Sequence, residues 1–308
     1  MIETRRDFLT TIGSLCAGAF AGRVIPWQQQ PDRTAAFRAQ LAAVPIQTQA
    51  LTENLTLLSG PGGNVVVLHG ADGLIVVDTF VAGVWPKLEE SLTALGRPLK
   101  FVINTHWHLD HTDNNAPLRA AGATIIAHEN TKRRMREPHH MPMLEIDVAA
   151  SPAAALPQRV FKGDYALDGI KITHVAPAHT DSDVIVQFER LNVLQTGDVF
   201  FNGRYPFIDW STGGRIDGMI DAANRVLGLV AADTKIVPGH GRVATKADLE
   251  QYRDMLVTAR DRVGRLKAAG KSLEESIAAK PLTDLDAVWG NGRFKGDDFV
   301  KIVYSSAP

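Results

Sequence analysis

Three histidines and one aspartate stand within six residues, at His106, His108, Asp110 and His111. A regular helix or strand cannot turn all four side chains toward one point, whereas a tight loop can. Imidazole and carboxylate groups are ligands that zinc and iron accept, and at this density they have little structural use without an ion. The segment therefore predicts a metal-binding loop.

The loop directly follows Phe101-Val102-Ile103, an apolar run typical of a buried strand. Loops at strand ends let a rigid scaffold present several side chains with little loss of entropy. Upstream, β-branched runs at 64–68 and 74–78 flank a Gly70 to Gly73 turn, which predicts a β-hairpin. Both runs are almost continuously apolar, so we expect this sheet to be covered on both faces.

Further periodic segments follow on both sides of an irregular insertion predicted at 131–160. They predict helices over 86–95, 116–121 and 217–230, strands over 123–127, 170–174, 184–188, 193–196 and 236–237, and two closing helices that start at Thr245 and Ser272. Strands in two groups, each followed by helices, predict an α/β fold of the four-layer αβ/βα sandwich type, with an ordinary doubly wound fold as the alternative.

The composition favours small-molecule chemistry. The 308 residues carry 33 Lys and Arg against 34 Asp and Glu, a formal charge of −1, so there is no basic field to gather nucleic acid or anionic lipid. We predict one large domain at 46–308, preceded by a linker at 22–45 that includes one short helix at most.

The N-terminus resembles an export signal. Arg5 and Arg6 precede a mildly apolar stretch, 9–21, which predicts a twin-arginine signal peptide cleaved after Ala21 and a periplasmic or otherwise exported protein; an amphipathic N-terminal helix is the alternative. Thirteen mildly apolar residues are too few to span a bilayer, so no stable membrane anchor is expected. Cleavage would remove Cys16, the only cysteine, so that only nitrogen and oxygen atoms would remain to bind a metal.

The loop pattern His-x-His-x-Asp-His resembles the signature of the metallo-β-lactamase superfamily. The remaining elements of that pattern occur in the same order over residues 46–245: Asp78 at the end of a strand, His179 after Pro177-Ala178, Asp198 after Thr196-Gly197, and His240 after Pro238-Gly239. The resemblance implies a dinuclear zinc centre, with iron or manganese as alternative metals. It implies three sets of roles: His106, His108 and His179 on the first ion, Asp110, His111 and His240 on the second, and Asp198 as the bridge.

The same resemblance implies a mechanism. A hydroxide held between the two ions attacks the substrate, Asp110 orients it or passes a proton, and Asp78 supports the ligands from behind. Arg204 and Tyr205 follow Asp198 closely. We expect Arg204 to anchor a substrate carboxylate and Tyr205 to wall the pocket, the alternative for Arg204 being a solvated loop residue.

Individual residues separate the branches of the superfamily. Flavodiiron proteins have Glu at the position of His108, and nucleases usually have Gly at the position of Leu109. With these branches set aside, the sequence resembles cysteine-free β-lactamases and glyoxalase-II-like thioester and lactone hydrolases. We therefore predict hydrolysis of a small activated or cyclic carbonyl compound, namely a β-lactam, lactone or thioester. A mononuclear iron oxidoreductase like the persulfide dioxygenases and a metal-holding protein without turnover are the alternatives.

Overall fold

Two β-sheets carry most of the strands, and the computed structural model that shows them describes residues 32–175 and 177–307. In these ranges the first sheet has seven strands, in the spatial order β1 (Gln47–Thr52), β2 (Leu55–Gly60), β3 (Gly63–Gly70), β4 (Gly73–Val77), β5 (Leu99–Asn104), β6 (Thr124–His128) and β9 (Arg159–Phe161). The second has five: β10 (Tyr165–Leu167), β11 (Ile170–His174), β12 (Val184–Phe188), β13 (Val193–Gln195) and β14 (Lys235–Val237). A small hairpin joins β7 (His139–Met141) and β8 (Ile146–Val148).

Ten α-helices complete the described part of the chain. They are α1 (Arg33–Ala42), α2 (Trp85–Thr93), α3 (Leu109–Thr112), α4 (Asn115–Ala120), α5 (Glu129–Met135), α6 (Ile216–Leu229), α7 (Lys246–Ala268), α8 (Leu273–Ala278), α9 (Asp286–Trp289) and α10 (Gly296–Ser306). None of the helices described is long and apolar enough to cross a membrane.

Alternation along the strands divides the core into separate layers. In β4, Ile75 and Val77 belong to the cluster that fills the space between the two sheets, whereas Leu74 and Val76 belong to the cluster that includes Leu88 of α2. Successive side chains of a strand point to opposite faces, so a strand buried on both faces must be apolar throughout. The order helix, sheet, sheet, helix confirms the predicted αβ/βα sandwich.

The predicted elements form close to their expected bounds. Gly70 pairs with Gly73 across the hairpin turn between β3 and β4. The helices predicted from Thr245 and Ser272 form as α7 and α8, and each begins with a reciprocal capping box, in which the cap side chain accepts from the third residue's N–H and that residue's carboxylate accepts from the cap N–H. The segment 131–160 is less irregular than expected, because it contains the end of α5, the β7–β8 hairpin and β9.

The compact unit begins at Arg33. It therefore includes the second part of the segment predicted as a linker, where α1 packs Phe37 and Leu41 against the core. The predicted signal peptide, 1–21, and residues 22–31 lie outside the described residues.

Candidate metal centre

The predicted metal loop is a tight turn between β5 and α3, held by its own side chains. The Asn104 amide donates to the backbone carbonyl of His111 at 2.9 Å, and the Thr112 hydroxyl donates to that of His108 at 3.0 Å. These bonds hold the turn against the start of α3, which carries Asp110 and His111, while Trp107 and Leu109 pack into the hydrophobic core. The first half of the chain thus presents four candidate ligands in fixed directions.

The second half brings the other three candidate ligands to the same place. His179 lies in the loop between β11 and β12, Asp198 in a 3₁₀ turn after β13, and His240 in the loop after β14. Two groups result: His106, His108, His179 and Asp198, and beside them Asp110, His111 and His240; within each group one ligand atom per residue lies within 4.8 Å of the others.

Short distances tie the two groups together through Asp198. Its Oδ2 lies 3.2 Å from His240 Nε2 and 3.4 Å from His179 Nε2, and its Oδ1 lies 3.3 Å from His111 Nε2. His108 Nδ1 lies 2.8 Å from His179 Nε2. One carboxylate therefore contacts both groups, as a bridging ligand would.

Buried polar atoms without partners identify what the cluster lacks. His106 Nε2, His111 Nε2 and Asp198 Oδ1 are buried and have no hydrogen-bond partner among the residues described. Leaving a buried polar atom unpaired is costly, and such atoms call for an explanation. All three belong to the two ligand groups, so the residues present fit divalent metal ions held by nitrogen and oxygen.

Three of the ring nitrogens that face away from the groups are each held by an acceptor. His111 Nδ1 lies 2.9 Å from Asp78 Oδ2, and His108 Nε2 lies 3.0 Å from Asp209 Oδ2. His179 Nδ1 lies 2.8 Å from the Phe207 carbonyl oxygen. Such partners fix the tautomer and orientation of a metal-binding histidine.

Asp78 stands where the sequence predicted support behind the loop. Its carboxylate accepts from the Thr105 backbone N–H and the Thr105 hydroxyl, both at 2.8 Å. Its backbone adopts a left-handed conformation, φ 65°, which is uncommon for an aspartate. Asp209, which supports His108 in the same manner, was not predicted from the sequence.

The pKa shifts within the two ligand groups favour the binding of cations. Burial lowers the pKa of His179 to about 3 and that of His106 well below its usual range, so both imidazoles are neutral. Burial opposes the charge on Asp198, but His240, His111 and His179 hold the pKa of this carboxyl well below its usual value. Burial likewise opposes a charge on His111, yet Asp198, Asp110 and Asp78 hold its pKa well above the usual range. Because a histidine binds a metal through an unprotonated ring nitrogen, a cation at His111 competes with a proton.

Two glycines let the backbone pass close to these side chains. A Cβ at Gly197, whose φ is +52°, would lie 2.7 Å from Thr105 Cβ. A Cβ at Gly239 would lie 1.9 Å from Asp198 Oδ1. Any side chain at 239 would displace Asp198 from its position between the two groups.

A cavity of about 530 Å³ opens above the centre. Its floor includes Asp110, Asp198 and His240. Arg204 and Tyr205 both line it, and their contact with a substrate stays a prediction. The Tyr205 hydroxyl donates to the Leu282 carbonyl oxygen at 3.4 Å, so this ring is a fixed part of the wall.

The remaining described histidines belong to neither ligand group: His69, His128, His139, His140 and His174. Two of them form a stack of their own, because the rings of His128 and His174 lie parallel with centroids 3.8 Å apart.

Comparison with known proteins places this geometry in a family. A model of the metallo-β-lactamase superfamily matches residues 58–261, a span that holds every predicted ligand. The chain belongs to the metallo-β-lactamase superfamily. Members such as the β-lactamases and the hydroxyacylglutathione hydrolases are metal-dependent hydrolases, and the predicted family, fold and enzyme class are thereby confirmed.

Within the superfamily, curated relatives have different activities. The chain is similar to 2,4-dinitroanisole O-demethylase subunit alpha of Nocardioides sp. (strain JS1661), with 26% identity over 257 residues, 77% of this chain and 71% of that protein. It is also similar to hydroxyacylglutathione hydrolase of Anaeromyxobacter dehalogenans (strain 2CP-C), with 28% identity over 151 residues, 48% of this chain and 47% of that protein.

Solved structures of the superfamily share the fold. DIM-1 metallo-β-lactamase superposes with a TM-score of 0.57 at 20% identity and covers 70% of this chain and 99% of its own. FIM-1 of Pseudomonas aeruginosa, in a mono-zinc form, gives a TM-score of 0.57 at 18% identity, with 70% of this chain and 96% of its own covered. At these identities the likeness concerns the architecture alone.

Proposed function

We propose that this protein is a dinuclear zinc hydrolase that cleaves a small activated or cyclic carbonyl compound, namely a β-lactam, lactone or thioester. The observation that carries the proposal is the pair of adjacent ligand groups with Asp198 between them, at the floor of a cavity. Three unpaired buried ligand atoms support it as well. The relative named hydroxyacylglutathione hydrolase supports the choice of a carbonyl substrate.

Under this proposal His106, His108 and His179 would hold one ion, Asp110, His111 and His240 would hold the other, and Asp198 would contribute to both. Bound divalent ions supply a water whose pKa lies near neutrality and polarise the substrate carbonyl.

The chain's own residues do the rest. Asp110 lies at the cavity floor, and its Oδ2 is 3.5 Å from His240 Nε2 and 3.6 Å from His111 Nε2. It is therefore placed to orient the attacking water and to take up its proton. Asp78 and Asp209 hold the rings of His111 and His108 in the orientation that ligation needs. The apolar walls exclude bulk water and so strengthen these electrostatic effects.

The test combines metal analysis with a substrate panel. Protein purified without chelator is analysed for bound metals and assayed on a β-lactam, a lactone, a thioester, a phosphodiester and 2,4-dinitroanisole. We expect zinc near two per chain and turnover of a carbonyl substrate. Asp110→Asn should lose about 100-fold or more of the rate, whereas Asp147→Asn, at an exposed position outside the cavity, should retain it.

Other outcomes would redirect the assignment. Iron near one per chain, together with oxygen consumption on a persulfide, would replace the hydrolase with an iron oxidoreductase. Bound metal without turnover of any substrate would indicate a metal-holding binding protein. Release of 2,4-dinitrophenol from 2,4-dinitroanisole would move the substrate class to aryl ethers.

We also propose that residues 1–21 direct export by the twin-arginine route. A periplasmic fraction whose mature N-terminus lies close to residue 22 is the expected result. Uncleaved protein in the cytoplasm, unchanged by replacement of Arg5 and Arg6 with Lys, would refute it.

A further inference from the structure

Part of the cavity wall comes from outside the family match at 58–261. Helix α1 contributes Phe37 and Leu41, and the loop before α10 contributes Arg293 and Phe294. The two terminal segments meet at the cavity, because the Arg293 guanidinium lies over the Phe37 ring, 5.0 Å from its centroid. The N-terminal and C-terminal segments thus close the cavity together.

The wall segment α1 is fastened to the rest of the domain by specific bonds. Arg38 forms a two-pronged ion pair with Asp113, with N–O distances of 2.7 and 2.9 Å. The Thr34 hydroxyl donates to the Asp147 carbonyl oxygen at 2.8 Å. Such anchors hold Phe37 in place as a fixed wall.

Two guanidinium groups line the cavity without an anion beside them. Over residues 32–175 and 177–307, neither Arg204 nor Arg293 forms an ion pair or a hydrogen bond. Arg204 is half-buried, and burial lowers its pKa. Its stem lies against Gly292, where a Cβ would come within 2.9 Å of Arg204 Cβ. The chain just before Arg293 therefore lies against Arg204. Burying an unpaired cation is costly unless an anion joins it, and this cost falls on the half-buried Arg204, whereas Arg293 is exposed.

The other cavity residues above the floor are mainly apolar. They include Leu41, Met141, Leu144, Ile146, Phe207 and Phe294. A ligand that satisfies both features has an apolar body and one anionic group. A carboxylate forms a planar two-pronged pair with the fork of a guanidinium, and we take it as the anionic group because it is the smaller of the anions that pair in this way.

We propose that the terminal segments form a specificity wall, made of Phe37, Arg204, Arg293 and Phe294, that selects amphipathic carboxylates. The apolar body of the substrate packs between α1 and the C-terminal loop. Its carboxylate pairs with Arg204, and Arg293 adds a second positive charge at the more exposed side. This inference rests on the proposed function for the position of the bond that is cleaved, but the wall itself can be tested by binding alone.

The test compares 2-naphthoate with 2-naphthamide, which share a shape and differ in charge, on the full metal-loaded chain by isothermal titration calorimetry. We expect naphthoate to bind at least about tenfold more tightly. Arg204→Gln and Arg293→Gln should each reduce that ratio, and Gly292→Ala should do the same by displacing Arg204 without removing a charge. Phe37→Ala should weaken both probes alike, and Arg97→Gln, an exposed arginine outside the cavity, should change neither.

Equal binding of the two probes, or no binding of either, would overturn the inference. So would a preference for naphthoate that persists in both arginine variants, because the carboxylate would then be binding at the metal. The outcome is separable from the proposed function: carbonyl hydrolysis with unselective probe binding refutes the wall alone, whereas selective binding without any hydrolysis refutes the proposed function alone. With an active substrate that bears a carboxylate, Arg293→Gln should raise KM and leave kcat nearly unchanged.

Discussion

Asp209 offers the sharpest test of how the metal centre is supported. The carboxylate is 1% exposed and accepts four contacts. Its Oδ2 faces His108 Nε2 at 3.0 Å and the Thr212 hydroxyl at 2.7 Å, and its Oδ1 accepts from the Ser211 backbone N–H and hydroxyl. These contacts hold the pKa of Asp209 below its usual range even though burial opposes ionisation, so the group is a permanent anion.

Asp209→Asn keeps the shape and removes half of the acceptors. The amide nitrogen of asparagine can only donate hydrogen bonds. In either orientation of the side chain, this nitrogen therefore faces two groups that are themselves donors. If the amide nitrogen points toward His108, the imidazole loses the acceptor that fixes its tautomer. If the nitrogen points toward Ser211, the Ser211 N–H and hydroxyl lose their acceptor. Removing such a support typically costs about 10- to 100-fold in metal affinity, about 1.4–2.7 kcal/mol.

The assay is competition for zinc against a chromophoric chelator, with the metal-free protein titrated at constant pH. Asp248→Asn is the control, because it weakens the capping box of α7 without contact to a ligand. We expect Asp209→Asn to bind zinc about 10- to 100-fold more weakly and the control to match wild type. Unchanged zinc affinity in Asp209→Asn, with the protein folded, would refute the argument that the carboxylate orients His108.

Three further outcomes follow from the structure. Gly239→Ala should lower the hydrolysis rate by about 100-fold, because Asp198 must move by about 1 Å. The control Gly228→Ala, whose added methyl group meets nothing within 4 Å, should keep the rate. Equal rates in the two variants would contradict this reasoning. Burial and the neighbouring His174 lower the pKa of His128 to about 4. Because the unfolded chain binds that proton more readily, stability should fall as the pH drops from about 6.5 to about 4, by at most about 3 kcal/mol. In urea titrations His128→Asn should flatten this pH dependence and the exposed His140→Gln should not. Chelation should lower the unfolding midpoint, because an ion bound only to the folded state adds about 2.7 kcal/mol at a free concentration 100 times its Kd; a midpoint that calorimetry finds unchanged would show that folding does not depend on metal.

Local pattern was enough to predict most of the sandwich. Apolar runs, glycine turns and cap residues act over a few positions, and they located the β3–β4 hairpin, α6 and α8 nearly to the residue. The edge strand β1 and its neighbour β2 were missed. Residues 47–50 of β1 are exposed and mostly polar, so no periodic burial marks them.

The residues of the site likewise include some that the sequence predicts and some that only the folded structure reveals. The seven candidate ligands could be named from the sequence because four stand in one segment and the rest follow a family order, and their binding of metal stays a prediction. Asp209 could not be named, since it lies 101 positions from His108 and nothing around it in sequence signals the contact. Phe37 and Arg293 were missed as cavity residues for the same reason, because only the folded chain brings α1 and the C-terminal loop together.

The division of ligands between two sheets has a consequence for assembly. A chain whose first half alone had folded would offer the turn at 106–111 but neither Asp198 nor His240. Binding of ions by both groups must then wait for contacts that range from 71 positions, between His108 and His179, to 130 positions, between Asp110 and His240, and such long-range contacts form slowly. Bound metal would link the two halves of the domain, so occupancy of the centre would indicate that folding is complete. A partly folded chain would release the ions.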